Sequence, residues 1–490
     1  MLGGAMVFSS LIFIFAFLAI CYLAYAIMPG IKSKNIVLLV FSLIFYAWGG
    51  PALLLLLTGM TLICYVGARL IGKFQKKRKL WLIITVAICL GILGFFKYTG
   101  FVLENFQLVT GFPQSIPNIV LPIGISFYTF QLISYIIDVY RGEVEAQKRY
   151  WKLLLYASLF HQCIAGPIIR YRDVIDEIDN RHVTREDVSK GIMRFSCGLA
   201  KKAIRANGCA SIVAALVENG ADITKASSMS VLLAAIAYML EIYLDFSAYS
   251  DMAIGMGLMV GFHYKENFNY PYISDSVTDF WRRWHISLSG FFRDYVYIPL
   301  GGNRVKIPRH ILNLFVVWAL TGLWHGASWN FVLWGLYYFV FLLAEKFIFR
   351  LSKSSKGFWR IPRTVYTLTV VLFSWMLFYY TDLGMLGNAL GSLFMINGNP
   401  FADIAFKTQL SGNIFLLAVS IIACTPLMTV ISGAFEKIRP KRKKDTVKPS
   451  FKVALFVYDA VCALIPTLLV GVSVLALVGD SYNPFLYFQF

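Results

Sequence analysis

KFQKKRKLWLIITVAICLGILGFFK, residues 73–97, decides the fold class. Lys73, Lys76, Lys77, Arg78 and Lys79 stand directly before an apolar run that begins at Leu80. A run of this kind is long enough to approach the ~20 residues of a membrane span, and a basic cluster at its end marks the cytoplasmic side. Comparable runs recur at 6–28, 36–48, 51–71, 118–140, 153–169, 207–217, 229–262, 311–325, 329–349, 365–381, 411–432 and 453–479. The run at 229–262 is long enough to read as two segments. Those at 36–48, 153–169 and 311–325 are short for a crossing, which suits tilted, broken or re-entrant helices buried in protein.

Composition agrees. The chain has 490 residues, 58% hydrophobic, 16% aromatic and only 14% charged, with a mean hydropathy of +0.67. A water-soluble enzyme, a disordered chain and a fibrous repeat are excluded. Long apolar runs without strand-like alternation also argue against a β-barrel. The expected architecture is an all-α polytopic membrane protein, with room for about ten or eleven helices. It reads as a single integral-membrane unit over 1–490, with a core at about 118–349 and C-terminal helices over 365–490.

The net charge of +19, from 45 Lys+Arg against 26 Asp+Glu, would suggest nucleic acid in a soluble protein. Here it sets topology, with anionic lipid as a further contact and no nucleic-acid partner. Lys32 and Lys34, the 73–79 cluster, Arg350 to Arg363 and Lys437 to Lys444 are placed in the cytoplasm. Segments 98–117, 383–406 and 480–490 carry no Lys or Arg and face outward, so both termini are expected outside a multi-pass inner or plasma membrane. The N-terminus reads as a retained first helix, with Met6 as an alternative start. Eight cysteines without a CxxC pair read as small core residues.

Two stretches break the pattern. Arg170 to Arg205 and Lys265 to Arg309 are polar, mixed in charge and rich in Trp and Tyr, yet membrane segments flank them. They suit interfacial helices or the lining of a cavity. No internal repeat of the kind seen in many transporters is visible.

His325, in LTGLWHGASWNFVLWG, ends an apolar run just before a Gly-Ala-Ser break. An ionisable group in such a place is a functional candidate, and imidazole suits general-base work; a neutral ring bonded to a carbonyl in a packed bundle is the other reading. Trp324 precedes it and Asn330 follows. Forty positions earlier, His285 lies in DFWRRWHISLSGFFRDYVYIPLGGNR, where Trp281, Arg282, Arg283, Trp284, Arg293 and Asp294 crowd one segment. Arginine clusters bind carboxylate or phosphate, as a nucleotide-bearing acyl donor would offer. A third polar run, EIYLDFSAYSDMAIG, holds Glu241, Asp245, Ser247 and Tyr249. Glu241 and Asp245 share a helical face, either as structural glue toward the arginines or as part of a polar tunnel. The histidines show no metal-ligand spacing, and Gly301-Gly302 lacks the context of a phosphate loop. Neither a metal nor a bound cofactor is expected.

Together, MVFSS at Met6, LPIGISFYTFQLISYIIDVYRG at Leu121, AGPIIRY at Ala165, YLDFSAYSDMAIG at Tyr243 and the two histidine motifs resemble the membrane-bound O-acyltransferases, of the bacterial alginate O-acetylation type. The resemblance implies a ring of about eleven helices around a central tunnel with His325 as catalytic histidine and His285 as the second signature histidine. It implies acyl transfer from a cytoplasmic thioester, acetyl-CoA or an acyl-carrier protein, to a hydroxyl outside. His161 stands where the family often has proline. The ending FLYFQF, Phe485 to Phe490, resembles the C-terminal hexapeptide of the small protein that accompanies teichoic-acid D-alanyl transferases. There a tyrosine takes the acyl group, and the matching position is Tyr487. An interfacial aromatic anchor is the alternative. An extracytoplasmic SGNH-like acetyltransferase or other polysaccharide-modifying protein would be the partner. D-alanyl transfer to teichoic acid, and a flippase or transporter without chemistry, are the competing functions; YIPLGGNR and the long C-terminal half favour the alginate type.

Overall fold

A computed structural model describes residues 6–113, 115–163, 166–218, 222–349, 357–438, 449–479 and 485. Their regular structure is helical, with no strand among the described residues. Among the described residues eight helices are long and apolar enough to cross a membrane: Ile31–Trp48, Pro51–Lys73, Gln75–Thr110, Ser228–Met259, Trp329–Phe347, Gly357–Tyr379, Ile404–Ala423 and Lys452–Val478. Phe13–Ile27 and Leu383–Leu393 are shorter apolar helices. The protein is an all-α polytopic membrane protein.

Several apolar runs are spent inside the protein. Ile125–Arg141 buries residues on every face, Phe127, Leu132, Tyr135 and Ile136 among them. The 153–169 run breaks into Tyr150–Ser158 and the fully buried Phe160–Cys163, as its length suggested. Run 36–48, by contrast, is not short: its helix begins at Ile31, taking in Lys32 and Lys34. Beyond Lys97, where the apolar run of the opening stretch ends, the Arg78–Thr110 helix continues for more than three turns. It closes at Gly111, whose φ of 75° is left-handed.

The run at 229–262 is one helix, not two. Ser228–Met259 has 32 residues, or about 48 Å at 1.5 Å per residue, well beyond a ~30 Å hydrocarbon layer. The excess length is accommodated because neighbours cover it: 78% of its most apolar window is buried, against 6% for Lys452–Val478. Its N-terminal part, Val231 to Phe246, packs into a core with Trp281, Trp284, Trp334 and Trp375. Its C-terminal part, Tyr249 to Val260, packs into a second core built mainly from residues before 200. This central helix therefore joins both cores.

The polar stretch 170–205 supplies helices Tyr171–Asn180 and Arg185–Ala200. Thr184 caps the latter: the Asp187 N–H donates to its hydroxyl at 3.1 Å and the Thr184 N–H to the Asp187 carboxylate at 3.0 Å. The Thr184 hydroxyl and then its N–H hold the Asp187 carboxyl below the ordinary range. Against the central helix, Arg194 meets Asp251 at 3.0 Å and Lys202 meets Asp245 at 2.7 Å.

The second polar stretch folds into short pieces, Val277–Arg283 and Ile286–Phe292 with a wider turn over Arg293–Tyr297. Helix Ile307–His325 follows, with proline in its first turn. After a break at Gly326 the chain returns as Trp329–Phe347. These two helices cross with backbone against backbone: a Cβ on Gly322 would collide with the Phe331 carbonyl and sit 3.3 Å from Gly335 Cα.

Candidate functional site

Glycines at the crossing set the position of His325. Residue 325 is the last of its helix and is buried. Its ring lies 4.8 Å from the indole of Trp324, 4.8 Å from Trp334 and 5.4 Å from Phe378, all edge to face. Asn330 sits just past the corner, its amide donating to the Phe378 carbonyl at 3.1 Å and its side-chain oxygen accepting from the Ser328 hydroxyl.

His285 reaches the same place from the other polar stretch. It is fully buried, and its backbone is left-handed, φ 45° and ψ 55°. A non-glycine residue in that region costs of order 1–3 kcal/mol, and such costs collect at functional sites. Asn267 holds it there. The Asn267 side-chain oxygen accepts from the Ser287 N–H at 3.2 Å and from the Ser287 hydroxyl at 2.8 Å. Because it already accepts a backbone N–H, this oxygen must also accept from His285, whose Nδ1 is 3.2 Å away. That assigns the imidazole hydrogen to Nδ1 and leaves Nε2 as the basic nitrogen. The His285 ring is 5.7 Å from the Trp324 indole. One tryptophan is thus shared by both imidazoles, at the seam between the two cores.

A cavity of about 220 Å³ approaches this seam, with Arg282, Ser289, Arg293 and Tyr297 among its polar lining and Trp281, Trp318 and Thr321 along its wall. Thr321 is four residues before His325, hence on the same face of the helix. An anion held by the two arginines would have its uncharged end directed along an aromatic wall.

Of the predicted site residues, His285, His325, Trp324 and Asn330 converge, and Trp281, Arg282 and Arg293 line the cavity. Others are engaged elsewhere. Arg283 binds Asp279 one turn back at 2.8 Å. Trp284 packs on Trp375 at 4.9 Å. Asp294 is held by Arg170 and Arg293, both at 2.7 Å. Asp245 is paired with Lys202, and Asp251 on the same helix with Arg194 and Lys201. Ser247 donates to the Leu244 carbonyl at 3.4 Å. Tyr249 stacks on Phe8 at 4.5 Å and meets Phe485 edge-on at 4.7 Å. His161 binds the Tyr264 hydroxyl at 2.8 Å, inside the second core. Tyr487 lies outside the described residues. Sequence reasoning missed Asn267, and also Lys97, whose ammonium touches the carbonyls of Trp324 and His325.

Comparison with known proteins adds kinship to this geometry. The model of the MBOAT, membrane-bound O-acyltransferase family, matches residues 147–388. The chain is 37% identical to the probable alginate O-acetylase AlgI of Pseudomonas putida, over 99% of this chain and 100% of that protein. It is 30% identical to the peptidoglycan O-acetyltransferase of Helicobacter pylori, over 99% and 98%. Likeness to the teichoic acid D-alanyltransferase of Bacillus subtilis, at 29%, covers 49% of this chain and 62% of that one.

Proposed function

The chain belongs to the membrane-bound O-acyltransferase family and is an O-acyltransferase, and we propose that it carries an acetyl group from a cytoplasmic thioester across the membrane to O-acetylate a cell-surface or secreted polysaccharide. The observation that carries this reading is the buried His325 at a helix end, facing the same tryptophan as His285 beside an arginine-lined cavity. Acetyl in place of D-alanyl is favoured because the O-acetylating relatives match the whole chain, whereas the D-alanyltransferase matches half.

The attacking hydroxyl loses its proton to the His325 imidazole as its oxygen bonds to the thioester carbonyl carbon. When the C–S bond breaks, the thiolate leaves and takes up from His325 the proton that the hydroxyl gave. His285, with Nδ1 held by Asn267, presents Nε2 to the same centre as a hydrogen-bond acceptor. Asn267→Ala is expected to lower the transfer rate about ten- to a hundredfold, since it leaves buried polar groups without their acceptor. Asn267→Asp keeps an acceptor oxygen and is expected to lose less; equal rates for both variants and the wild type would remove this role.

Donor binding is assigned to the cavity, with Arg282 and Arg293 on the phosphate that acetyl-CoA and a carrier-protein pantetheine share. Reversing both charges to Glu is expected to raise the donor KM about tenfold or more with kcat little changed. Steady-state kinetics on purified protein decide it, and an unchanged KM excludes the assignment.

Tyr487 is the first acceptor in this scheme: its hydroxyl takes the acetyl group, and an extracytoplasmic SGNH-like acetyltransferase passes it on to the polysaccharide. Support comes from Phe485, two positions earlier, which is buried against Tyr249 and lies under the Lys202 ammonium at 4.8 Å. Intact mass spectrometry after incubation with [acetyl-14C]acetyl-CoA or acetylated carrier protein tests the scheme, with an adduct of one acetyl group expected on Tyr487 and none in Tyr487→Phe. Donor turnover without an adduct would exclude the relay.

A further inference from the structure

Lys97 is a charge within a candidate membrane span, Gln75–Thr110. Such a group is costly there and is retained where it has a partner and a task. Its partners are specific. An α-helix leaves its last four carbonyls without intrahelical donors, and in a membrane no bulk water supplies them. At the end of Ile307–His325 each of the four has one. The Gly326 N–H donates to the Gly322 carbonyl at 3.4 Å. The Tyr98 hydroxyl donates to Leu323 at 2.8 Å. The Lys97 ammonium donates to Trp324 and, at 3.3 Å, to His325 itself. A cation is also the charge that a helix C-terminus favours.

The contact continues along one face of the lysine's helix. Phe101, one turn on, meets the Trp329 ring at 5.6 Å, and Asn105, two turns on, accepts from the Trp329 indole N–H at 2.8 Å. Residues 97, 98, 101 and 105 therefore grip both sides of the corner that carries His325.

We infer that Lys97, with Tyr98 beside it, is a positioning residue for the acyl transfer: its ammonium ties down the carbonyl end of the Ile307–His325 helix and fixes where the imidazole stands. This rests on His325 being the base. Removing the cation withdraws its donation to two carbonyls and loosens the helix end, and displacement of a reacting group by about 1 Å can cost on the order of a hundredfold in rate.

The test compares the full-length wild type with Lys97→Met, Lys97→Arg, Tyr98→Phe and His325→Ala, purified in detergent, using labelled acetyl transfer from acetyl-CoA or acetylated carrier protein. Lys97→Met is expected to lower kcat about a hundredfold with donor KM within about twofold. Lys97→Arg, which keeps a cationic donor, is expected to recover most of that loss. If Lys97→Met does not yield monodisperse protein, Tyr98→Phe decides, with kcat expected to fall several-fold at unchanged KM and unchanged unfolding midpoint. Wild-type kcat in Lys97→Met, or in Tyr98→Phe where that variant decides, overturns the inference, as does an arginine variant no better than methionine. An inert His325→Ala beside a fully active Lys97→Met removes the clamp and leaves the base in place. A fully active His325→Ala removes the base, and the clamp with it.

Discussion

His325→Ala is expected to leave a folded protein whose transfer of labelled acetyl is about 10²- to 10⁴-fold slower than wild type, the usual contribution of a positioned general base. The folded state should survive. His325 ends its helix, and the interactions that hold that end use main-chain carbonyls that alanine also has. What disappears is the imidazole between Trp324, Trp334 and Phe378. His325→Gln fills more of that space and offers no useful base at neutral pH, so it should be as slow. Transfer at the wild-type rate by either variant, with a matching elution profile and unfolding midpoint, would assign the proton to another group.

Gly335→Ala is expected to be nearly as damaging although it adds only one methyl group. A Cβ there would strike the Trp318 carbonyl and lie 3.2 Å from Gly322 Cα. Both obstacles are backbone, which cannot rotate aside, so the two helices must move apart. Overpacking of this kind costs typically about 1–3 kcal/mol. The shift reaches the site directly, because Trp318 lines the cavity and Trp334, next to the glycine, touches His325. A lower unfolding midpoint in detergent and a transfer rate down about a hundredfold are the expected readouts. Gly59→Ala is the control. Nothing lies within 4 Å of its added Cβ, so it should behave as wild type. Equal behaviour of the two variants would mean that the helices do not meet at Gly335.

The membrane class and the two histidines were legible because hydropathy and isolated ionisable groups are local properties; the count of crossings was not, since about eleven helices were expected and eight of span length are found among the described residues. Burial by protein is not local. Run 229–262 and run 51–71 are close in hydropathy, yet the first is the central helix, buried over most of its apolar window, and the second is buried over only a third of its own. Hydropathy cannot tell a residue facing protein from one facing lipid. The same limit divided the charged residues. Arg282 lines the cavity, and so does Arg293 while also holding Asp294, whereas Arg283 in the same motif is consumed by Asp279. Lys97 gives no signal in the sequence, because a lysine that closes an apolar run is ordinary where its side chain can reach the interface. Only the helix continuing to Thr110 places it in an interior, and only the fold brings it to carbonyls more than two hundred positions away. Asn267 had a weak signal of its own, a carboxamide in a polar stretch. Its role rests on the left-handed turn at His285.

The central helix has a consequence for biosynthesis. The ribosome delivers the chain from its N-terminus, and the core made mainly from residues before 200 is completed only by later residues, Tyr249, Met252, Leu288, Phe291 and Phe292 among them and, last in its main body, Trp324. The earliest helices therefore enter the membrane with an open wall and wait for a tryptophan made much later. Nascent chains halted before residue 249 should be cleared by membrane proteases, and those halted once 324 has left the ribosome should begin to persist. The corner that presents the histidine is in this sense also the point at which the first half of the protein becomes safe from quality control.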